Sequence, residues 1–404
     1  MELLSSLNHN TFTPKCSRGC LSRCIIQSRR RIVKSSLQLR KGSVQVAGVA
    51  ARPLQVDLPA ADKLAEGSIK WGHVGVQGPR TEMEDDIVLR MEELNGFTYA
   101  AVFDGHAGFS SVKFLRDELY KKCATALQEG SLLESKDLDA TRDALIKAFL
   151  EADSQLLSCR IEETGDHVES GSTATVMFVG GDRLIVSHIG DSAVVISRSG
   201  KAVQITNPHR PYGNSKVSLN EIRRVKEAGG WVINGRICGE ISVSRAFGDM
   251  RFKTKKKEML EEGVQEGRWT QKFVSKIKLN GDWVTASPDV YHAQLGPDTE
   301  FILLASDGLW DCMNSVDAVR FVRNQLRQHG DVQSACEALA NAALNRDTQD
   351  NVSVVIADLG RIQQQDGAEE EQNLLSEFLQ AAAIVAIVSF GIWLSHFFGQ
   401  ELVS

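Results

Sequence analysis

The sequence predicts an α+β fold built on an antiparallel β-sandwich. Three features of the 404-residue chain predict it. Short apolar runs of strand length recur between turn residues, and glycine-containing pairs separate some of them at hairpin spacing. Helical apolar stripes come in groups, whereas a doubly wound parallel sheet would alternate single strands with single helices.

The predicted strands lie within a body at residues 57–360. They are DIVLRM, FTYAAVFD, ATVMFVG, RLIVSHIG, AVVISRSG, FILLASDG and VSVVIADL. Gly180-Gly181 and Ser199-Gly200 stand between such runs as hairpin turns. Residues 172–206 therefore predict an antiparallel meander.

Apolar residues three or four positions apart predict four of the helices. Their stripes are Val112, Leu115, Leu119, Cys123 and Leu127; Leu138, Leu145, Phe149, Ala152 and Leu156; Val316, Val319, Val322 and Leu326, ending near Gly330; and Val332, Ala335, Leu339 and Ala343. Ser218 and Glu221 form a capping-box pattern for a further helix that stops at Gly229-Gly230. Residues 251–283 are highly charged and weakly periodic, which predicts a surface insertion, here called the flap.

The N-terminal residues 1–56 hold ten Lys or Arg and one acidic residue, and they are rich in Ser. This composition is typical of an organelle transit peptide. A disordered basic tail is the alternative, and composition does not choose between plastid and mitochondrion.

The C-terminal end predicts a membrane anchor at residues 379–398, after an acidic linker at 361–378. Eighteen residues from Ala381 to Phe398 carry no formal charge, and as a helix they span about 27 Å, enough for the hydrocarbon layer. A buried C-terminal helix or one lying on a membrane surface is the alternative.

Charge and cysteine content narrow the function classes. The net charge of −6 becomes −15 once the +9 of residues 1–56 is set aside, which argues against nucleic acid as a partner. The eight cysteines form no C-x-x-C pair, which favours inert, reduced, buried thiols.

Acidic residues stand at the ends of four predicted strands. The sets are Glu84-Asp85-Asp86, Asp104, Asp307 and Asp350-Asn351. Strand ends that share one edge of an antiparallel sandwich can bring these residues together, and such a cluster of like charges needs cations. All-oxygen ligands suit Mg²⁺ or Mn²⁺ rather than zinc. The pattern therefore predicts two ions that hold a hydroxide for attack on phosphorus.

Neighbouring residues fit the same chemistry. Gly105 has no Cβ to keep its carbonyl from a cation, and His106 stands beside it to protonate a leaving oxygen. Arg80 can bind a phosphoryl group through both arms of its guanidinium. Asp191, in HIGDSAVV, predicts a further, weaker metal site. Each has an ordinary alternative: a turn residue, a structural histidine or a surface ion pair.

Seven motifs occur in order: RTEMEDD, VFDGHAG, SGSTATV, IGDSAVV, EISVSRAFGD, ASDGLWD and DTQDNVSVV. Together they resemble the metal-dependent type 2C serine/threonine protein phosphatases over about residues 69–359. The resemblance implies helix pairs, antiparallel within each pair, on both sides of the sandwich, and a dimetal centre at one end. It implies that Asp104 bridges both ions, that Gly105 offers its carbonyl to one, that Asp307 and Asp350 bind the other, and that Glu84 holds metal-bound water.

The remaining roles also follow from the resemblance. His106 is the expected general acid, Arg80 the phosphate clamp and Asp85 a support of the site. Asp191 is expected to form a third-ion site with Asp307.

The motif EISVSRAFGD implies structural roles near the flap for Ser244, Arg245 and Asp249. One departure is visible, since NPHRP places Pro208 where many members have Asp, and Asn207 is the candidate to replace it. This loop precedes the flap, so we expect the departure to affect substrate binding and not the metals. The flap is longer than is usual, which implies a role in substrate choice.

With both ends included, the chain resembles thylakoid-associated plant members of the family that act on the light-harvesting antenna of photosystem II. This implies a chloroplast protein on the thylakoid membrane with its catalytic domain in the stroma. The implied partners are phosphorylated membrane proteins of light-harvesting complex II, and we expect a monomer.

Two other function classes stay open at this point. One is an inactive, membrane-tethered module that binds phosphoproteins, and the other is a metallo-hydrolase of small phosphate esters. The presence of Asp104, Asp307 and Asp350 favours an active enzyme that hydrolyses phospho-Thr or phospho-Ser with a dimetal-bound water.

Overall fold

The computed structural model of the chain describes residues 69–135, 137–160 and 169–362. The predicted transit peptide, the anchor and the linker beyond residue 362 lie outside these residues. Within the described ranges, no helix has both the length and the apolar character needed to cross a membrane.

Among the described residues, the main strands form two five-stranded antiparallel sheets. The first contains, in spatial order, β1 (Lys70–Val76), β15 (Val352–Asp358), β14 (Thr299–Ala305), β8 (Ala193–Arg198) and β9 (Lys201–Gln204). The second contains β13 (Asp289–Gln294), β7 (Arg183–Ile189), β6 (Ala174–Gly180), β3 (Phe97–Phe103) and β2 (Asp86–Leu94). Smaller sheets join β4 (Gly105–His106), β5 (Gly171–Ser172) and β12 (Phe247–Gly248), and β10 (Val232–Ile233) with β11 (Arg236–Ile237). All seven predicted strands are present.

Side-chain alternation explains why the two sheets stack. Along β14, Ile302 and Leu304 lie in the core between the sheets, whereas Phe301 and Leu303 lie in the core under the outer helices. Successive side chains of a strand point to opposite faces. A strand covered on both faces therefore reads as a continuous apolar run, as FILLA does.

Helices cover both outer faces. On the second sheet lie α1 (Ser110–Ala126), α2 (Ser131–Glu134) and α3 (Leu138–Arg160). After α8 (Asp307–Trp310), the first sheet is covered by α9 (Ser315–His329) and α10 (Val332–Leu344). The predicted α+β sandwich with flanking helices is confirmed.

The predicted apolar stripe residues of the helices are buried, except in the first turns of two helices. Leu138 opens α3 and is 45% exposed, and Val316, the second residue of α9, is 54% exposed. The other predicted stripe residues are buried. Among the described cysteines all five are free, and Cys159 is exposed, contrary to the expectation of buried thiols.

The predicted meander at residues 172–206 is wrong in one respect. The pairs β6–β7 and β8–β9 are hairpins, but they belong to different sheets. The chain crosses between sheets after Gly190, whose φ of 101° suits a residue without Cβ. This crossover places Asp191 at the edge of the sandwich.

The predicted capping box is also wrong. Helix α4 (Lys216–Glu227) is capped by Ser215, whose Oγ accepts a hydrogen bond from the Ser218 N–H at 3.0 Å. Glu221 accepts hydrogen bonds from Arg245 and from Ser244, both at 2.7 Å. Two strong side-chain donors therefore satisfy its carboxylate away from the helix start.

The flap is a folded unit. It contains α5 (Met250–Lys253), α6 (Lys256–Gln265) and α7 (Gln271–Val274). Phe252, Met259, Leu260 and Trp283 are buried in an apolar cluster that they share with α4 and with residues 237–246. Its helices are short, which is why the sequence shows only weak periodicity.

Candidate active site

Strand register brings several chain segments to one edge of the sandwich. Phe103, at the end of β3, is paired with Asp86 at the start of β2. Ala305, at the end of β14, is paired with Ala193 at the start of β8 and with Val354 in β15. The residues beyond these ends line a cleft of about 340 Å³ that contains the predicted site residues Arg80, Glu84, Asp104, Gly105, His106, Asp191, Asp307 and Asp350.

Three carboxylates form the centre of the cleft. Asp104, Asp191 and Asp307 each offer one oxygen, and these oxygens lie within 4.8 Å of one another. Burial and the neighbouring Asp307 raise the pKa of Asp104 well above its usual range. Burial and the charge of Asp191 raise the pKa of Asp307 to about 8. Cations are required for all three to be ionised together, and an all-oxygen donor set fits hard divalent ions.

The loop before β2 supplies the opposite wall. The Gly108 N–H donates to Glu84 Oε1 at 2.5 Å. Asn351 holds this loop in place: its Oδ1 accepts from the Glu84 N–H at 2.8 Å, and its Nδ2 donates to the Gln77 and Glu82 carbonyls. Asn351 thus fixes Glu84 relative to Asp350.

Asp85 lies behind the cleft. It is 5% exposed and is absent from the cleft wall. Burial, with smaller contributions from the charges of Asp350 and Glu84, raises its pKa to about 7, against the hydroxyls of Ser306 and Ser353. Its predicted role as a support of the site stays a prediction.

The glycines after Asp104 and Asp307 are required by packing. A Cβ on Gly105 would lie 2.5 Å from the Glu84 carbonyl oxygen and 2.8 Å from a methyl of Val112. A Cβ on Gly308 would overlap the backbone oxygen of Asn351. Each glycine therefore lets one acidic segment lie directly against the next.

His106 has a partner that the sequence did not reveal. Its Nε2 lies 2.9 Å from Oδ1 of Asp249. Desolvation lowers the pKa of His106, but the charge and hydrogen bond of Asp249 outweigh it, so the pKa is raised. A Cβ on Gly171 would lie 2.6 Å from the Asp249 carboxylate. Asp249, predicted as structural, is thus also in a position to orient the candidate general acid.

Arg80 lies at the rim beside Asp350. Its Nη2 donates to Asp350 Oδ2 at 2.6 Å, and its Nε donates to the Gln349 carbonyl at 3.0 Å. Half of its side chain is exposed, so the guanidinium can reach an entering phosphoryl group.

Residues 70–352 match the family described as PP2C, protein phosphatase 2C.

The chain belongs to the protein phosphatase 2C family. It is similar to Protein phosphatase 2C 57 of Arabidopsis thaliana, with 58% identity over 328 residues, which cover 81% of this chain and 84% of the relative. Probable protein phosphatase 2C 59 of Oryza sativa subsp. japonica is 29% identical over 320 residues, 78% of this chain and 83% of the relative. A solved structure of serine-threonine phosphatase 2C from Toxoplasma gondii gives a TM-score of 0.57 at 21% identity, covering 76% of this chain and 99% of that one, and shows the same fold.

These matches confirm the predicted family and reaction: this protein phosphatase 2C is a protein serine/threonine phosphatase. The family depends on metal ions, and the cluster of Asp104, Asp191 and Asp307 could hold one. The individual roles of the cleft residues stay predictions.

The NPHRP loop of this protein phosphatase 2C does reach the carboxylates, contrary to expectation. Arg210, two residues after Pro208, donates from Nε to Asp191 Oδ2 at 2.8 Å and from Nη2 to Asp307 Oδ2 at 3.2 Å. Asn207 contributes its backbone carbonyl to His188 Nε2 at 3.1 Å. The sequence signal was the basic residue inside the departing motif.

The flap side of the cleft carries charges of both signs. Arg236, Glu240 and Arg251 line it together with Glu169. Arg251 Nη1 donates to Glu169 Oε1 at 3.0 Å. The predicted structural residues behind it are paired: Ser244 and Arg245 bind Glu221, and Arg245 also reaches Asp289 at 2.8 Å. This buried network anchors the base of the flap.

Proposed function

We propose that this phosphatase dephosphorylates threonine and serine residues of light-harvesting complex II proteins at the thylakoid membrane, with Mg²⁺ or Mn²⁺ as cofactor. The convergence of all predicted ligands on one cleft supports the hydrolysis. The basic, Ser-rich N-terminal segment, the apolar C-terminal segment and the resemblance of the whole chain support the location and the substrate.

The proposed ligands are Asp104, the Gly105 carbonyl, Glu84, Asp307 and Asp350. When bound there, divalent cations activate water and withdraw charge from the phosphoryl group. These carboxylates would hold the cations at the end of the sandwich, where the strand registers keep the ligands fixed.

The substrate-facing residues act beside these ligands. Arg80 binds the non-reacting oxygens of the phosphoryl group. His106 donates a proton to the seryl or threonyl oxygen as it leaves, and Asp249 keeps the Nε2 edge of its ring oriented. The flap covers the peptide side of the cleft.

Phosphate release from a phosphothreonine peptide tests the mechanism. We expect activity with Mg²⁺ or Mn²⁺, loss of at least about a hundredfold in Asp104→Ala, and loss in excess chelator. Asp298→Ala, an exposed carboxylate far from the cleft that pairs with Arg198, is the matched control. Equal activity in chelator would contradict a metal-dependent reaction.

His106→Ala tests the proton donor. It is expected to slow hydrolysis of the phosphopeptide more than that of an aryl phosphate, because the aryl oxygen leaves with little need of a proton. Equal losses on both substrates would count against His106 as the acid.

Thylakoid phosphoproteomes with and without the protein test the substrate. If the protein is an active phosphatase, antenna phosphorylation should rise when the protein is missing. If the protein is a module that only shelters phosphosites, antenna phosphorylation should fall. Unchanged antenna phosphorylation, with other membrane proteins affected, would reassign the substrate.

Alkaline-carbonate extraction and protease treatment of intact thylakoids test the location. An integral anchor keeps the protein in the membrane fraction, and a stromal catalytic domain is digested by added protease. Full release by carbonate would exclude an integral anchor.

A further inference from the structure

Arg210 lies in the loop between β9 and α4, at a point where hydrogen bonds hold the backbone in place. His209, before it, is fully buried and stacks on His188 at a centroid distance of 4.8 Å. The His209 N–H donates to the Gly190 carbonyl at 2.7 Å, and its own carbonyl accepts from the Ser244 N–H at 2.8 Å. Arg210 therefore leaves a backbone that is held on both sides.

The guanidinium of Arg210 binds three carboxylates at once. Nε donates to Asp191 Oδ2 at 2.8 Å, and Nη2 donates to Asp307 Oδ2 at 3.2 Å and to Asp311 Oδ1 at 2.9 Å. The Arg210 side chain is 20% exposed, and that of Asp191 is 5% exposed. The ring of Tyr212 lies 5.7 Å from the guanidinium carbon.

Two of these carboxylates are the predicted ligands of a third ion. A cation shared by Asp191 and Asp307 would need oxygens from both, at about 2.0–2.2 Å for Mg²⁺. Arg210 already binds one oxygen of each and also binds Asp311. A divalent ion between them would lie at contact distance from a guanidinium that cannot lose its proton, and like charges in a partly buried site repel strongly.

We propose that Arg210 replaces the third divalent cation of this phosphatase with a cation that belongs to the chain. Arg210 neutralises Asp191, Asp311 and the outer oxygen of Asp307. The other oxygen of Asp307 and the carboxylate of Asp104 remain available to bind the two ions. The third site and the Arg210 contacts exclude each other, so removal of the guanidinium opens the site. This conclusion does not depend on which phosphoprotein is the substrate.

Manganese binding to the full chain tests the proposal. Free Mn²⁺ is measured by its solution paramagnetic resonance signal during titration of chelator-stripped protein. Wild type is expected to bind about two ions per chain, and Arg210→Gln about three, since glutamine keeps a polar side chain but carries no charge. Arg198→Gln, which removes a partly buried arginine from the far end of β8, is the control and is expected to match wild type.

Asp311→Asn gives a second, independent reading. Asp311 is 60% exposed at the carboxylate and lies outside the ligand set of the two ions. If Arg210 is the third cation, Asp311→Asn still binds two ions. A wild-type count of three that falls to two in Asp311→Asn overturns the proposal, even if Arg210→Gln does not fold. An Arg210→Gln protein that melts like wild type and binds only two ions also overturns it.

Discussion

Replacing Lys253 by Met tests how the base of the flap is held. Lys253, in α5, is 3% exposed, and its Nζ donates to Asp153 Oδ2 at 2.7 Å and to the Ala246 carbonyl at 2.9 Å. Asp153, in α3, also accepts the Gly248 N–H at 2.9 Å. Methionine keeps the unbranched stem and removes the charge, so Asp153 keeps its burial and loses this cation.

The cost follows from the burial of the pair. Removing one partner of a buried ion pair lowers the free energy of unfolding by about 3–5 kcal/mol. Protonation of Asp153 limits this loss of unfolding free energy, because the folded variant can neutralise the carboxylate. Each pKa unit of that protonation corresponds to about 1.4 kcal/mol. From the ordinary pKa of 3.8, protonation costs about 5 kcal/mol at about pH 7.5 and about 2 kcal/mol at about pH 5.5.

The sign of the pH dependence is therefore fixed. Burial raises the pKa of Asp153, and Lys253 opposes this rise. Without the lysine the pKa rises further, so the folded variant binds a proton that its unfolded state lacks. Lys253→Met should consequently recover stability relative to wild type as the pH falls from about 7.5 to about 5.5.

Urea unfolding of the full chain at both pH values, followed by tryptophan fluorescence, measures the effect. Lys121→Met is the control because Lys121 and Glu118 form an exposed pair at 2.8 Å, worth at most about 0.5 kcal/mol. Asp153→Asn/Lys253→Met removes both charges and should lose the pH dependence. A loss below about 1 kcal/mol for Lys253→Met at both pH values, or a loss that grows towards low pH, would show that Lys253 does not stabilise a buried, charged Asp153.

The remaining predictions concern two cleft residues and a buried histidine pair. Asp249→Asn should lower kcat on a phosphopeptide about tenfold and less on an aryl phosphate, because it misplaces His106; equal losses would contradict this positioning role. Arg80→Ala should raise the KM for phosphopeptide about tenfold in steady-state assays, and an unchanged KM with reduced kcat would point to another role. Burial lowers the pKa of His188 and of His209 below 6.5, so the unfolded state takes up protons that the folded state does not. The Tm should therefore fall below about pH 6.5, and a constant Tm down to about pH 5.5 would falsify this assignment.

Much of the fold could be predicted because apolar runs and apolar spacing within short segments indicate strands and helices. The run FILLA predicts a strand covered on both faces, and α10 has the buried spacing of Val332, Ala335 and Leu339. The errors lie where tertiary contacts override local signals. Glu221 has the spacing of a capping residue but binds Arg245 and Ser244, and the meander divides between two sheets after Gly190.

The candidate site shows the same division. The sequence showed acids at strand ends and a histidine and an arginine near them, and these side chains line one cleft. It did not show which loops close around the acids. Asp249 reaches His106, and Arg210 reaches Asp191, from segments far away in the chain, through contacts with no periodic signature.

The ordered motifs were enough to identify the family, and the residue types predicted oxygen ligands, a proton donor and a phosphate-binding cation. The neighbours of each group depend on how the whole chain folds. Strand order and register set which ends meet, and loops then bring Asp249 to His106 and Arg210 to Asp191 and Asp307. The physical reason is that residue types and local periodicity are properties of short segments, whereas charge balance in a buried cleft depends on every segment that folds against it.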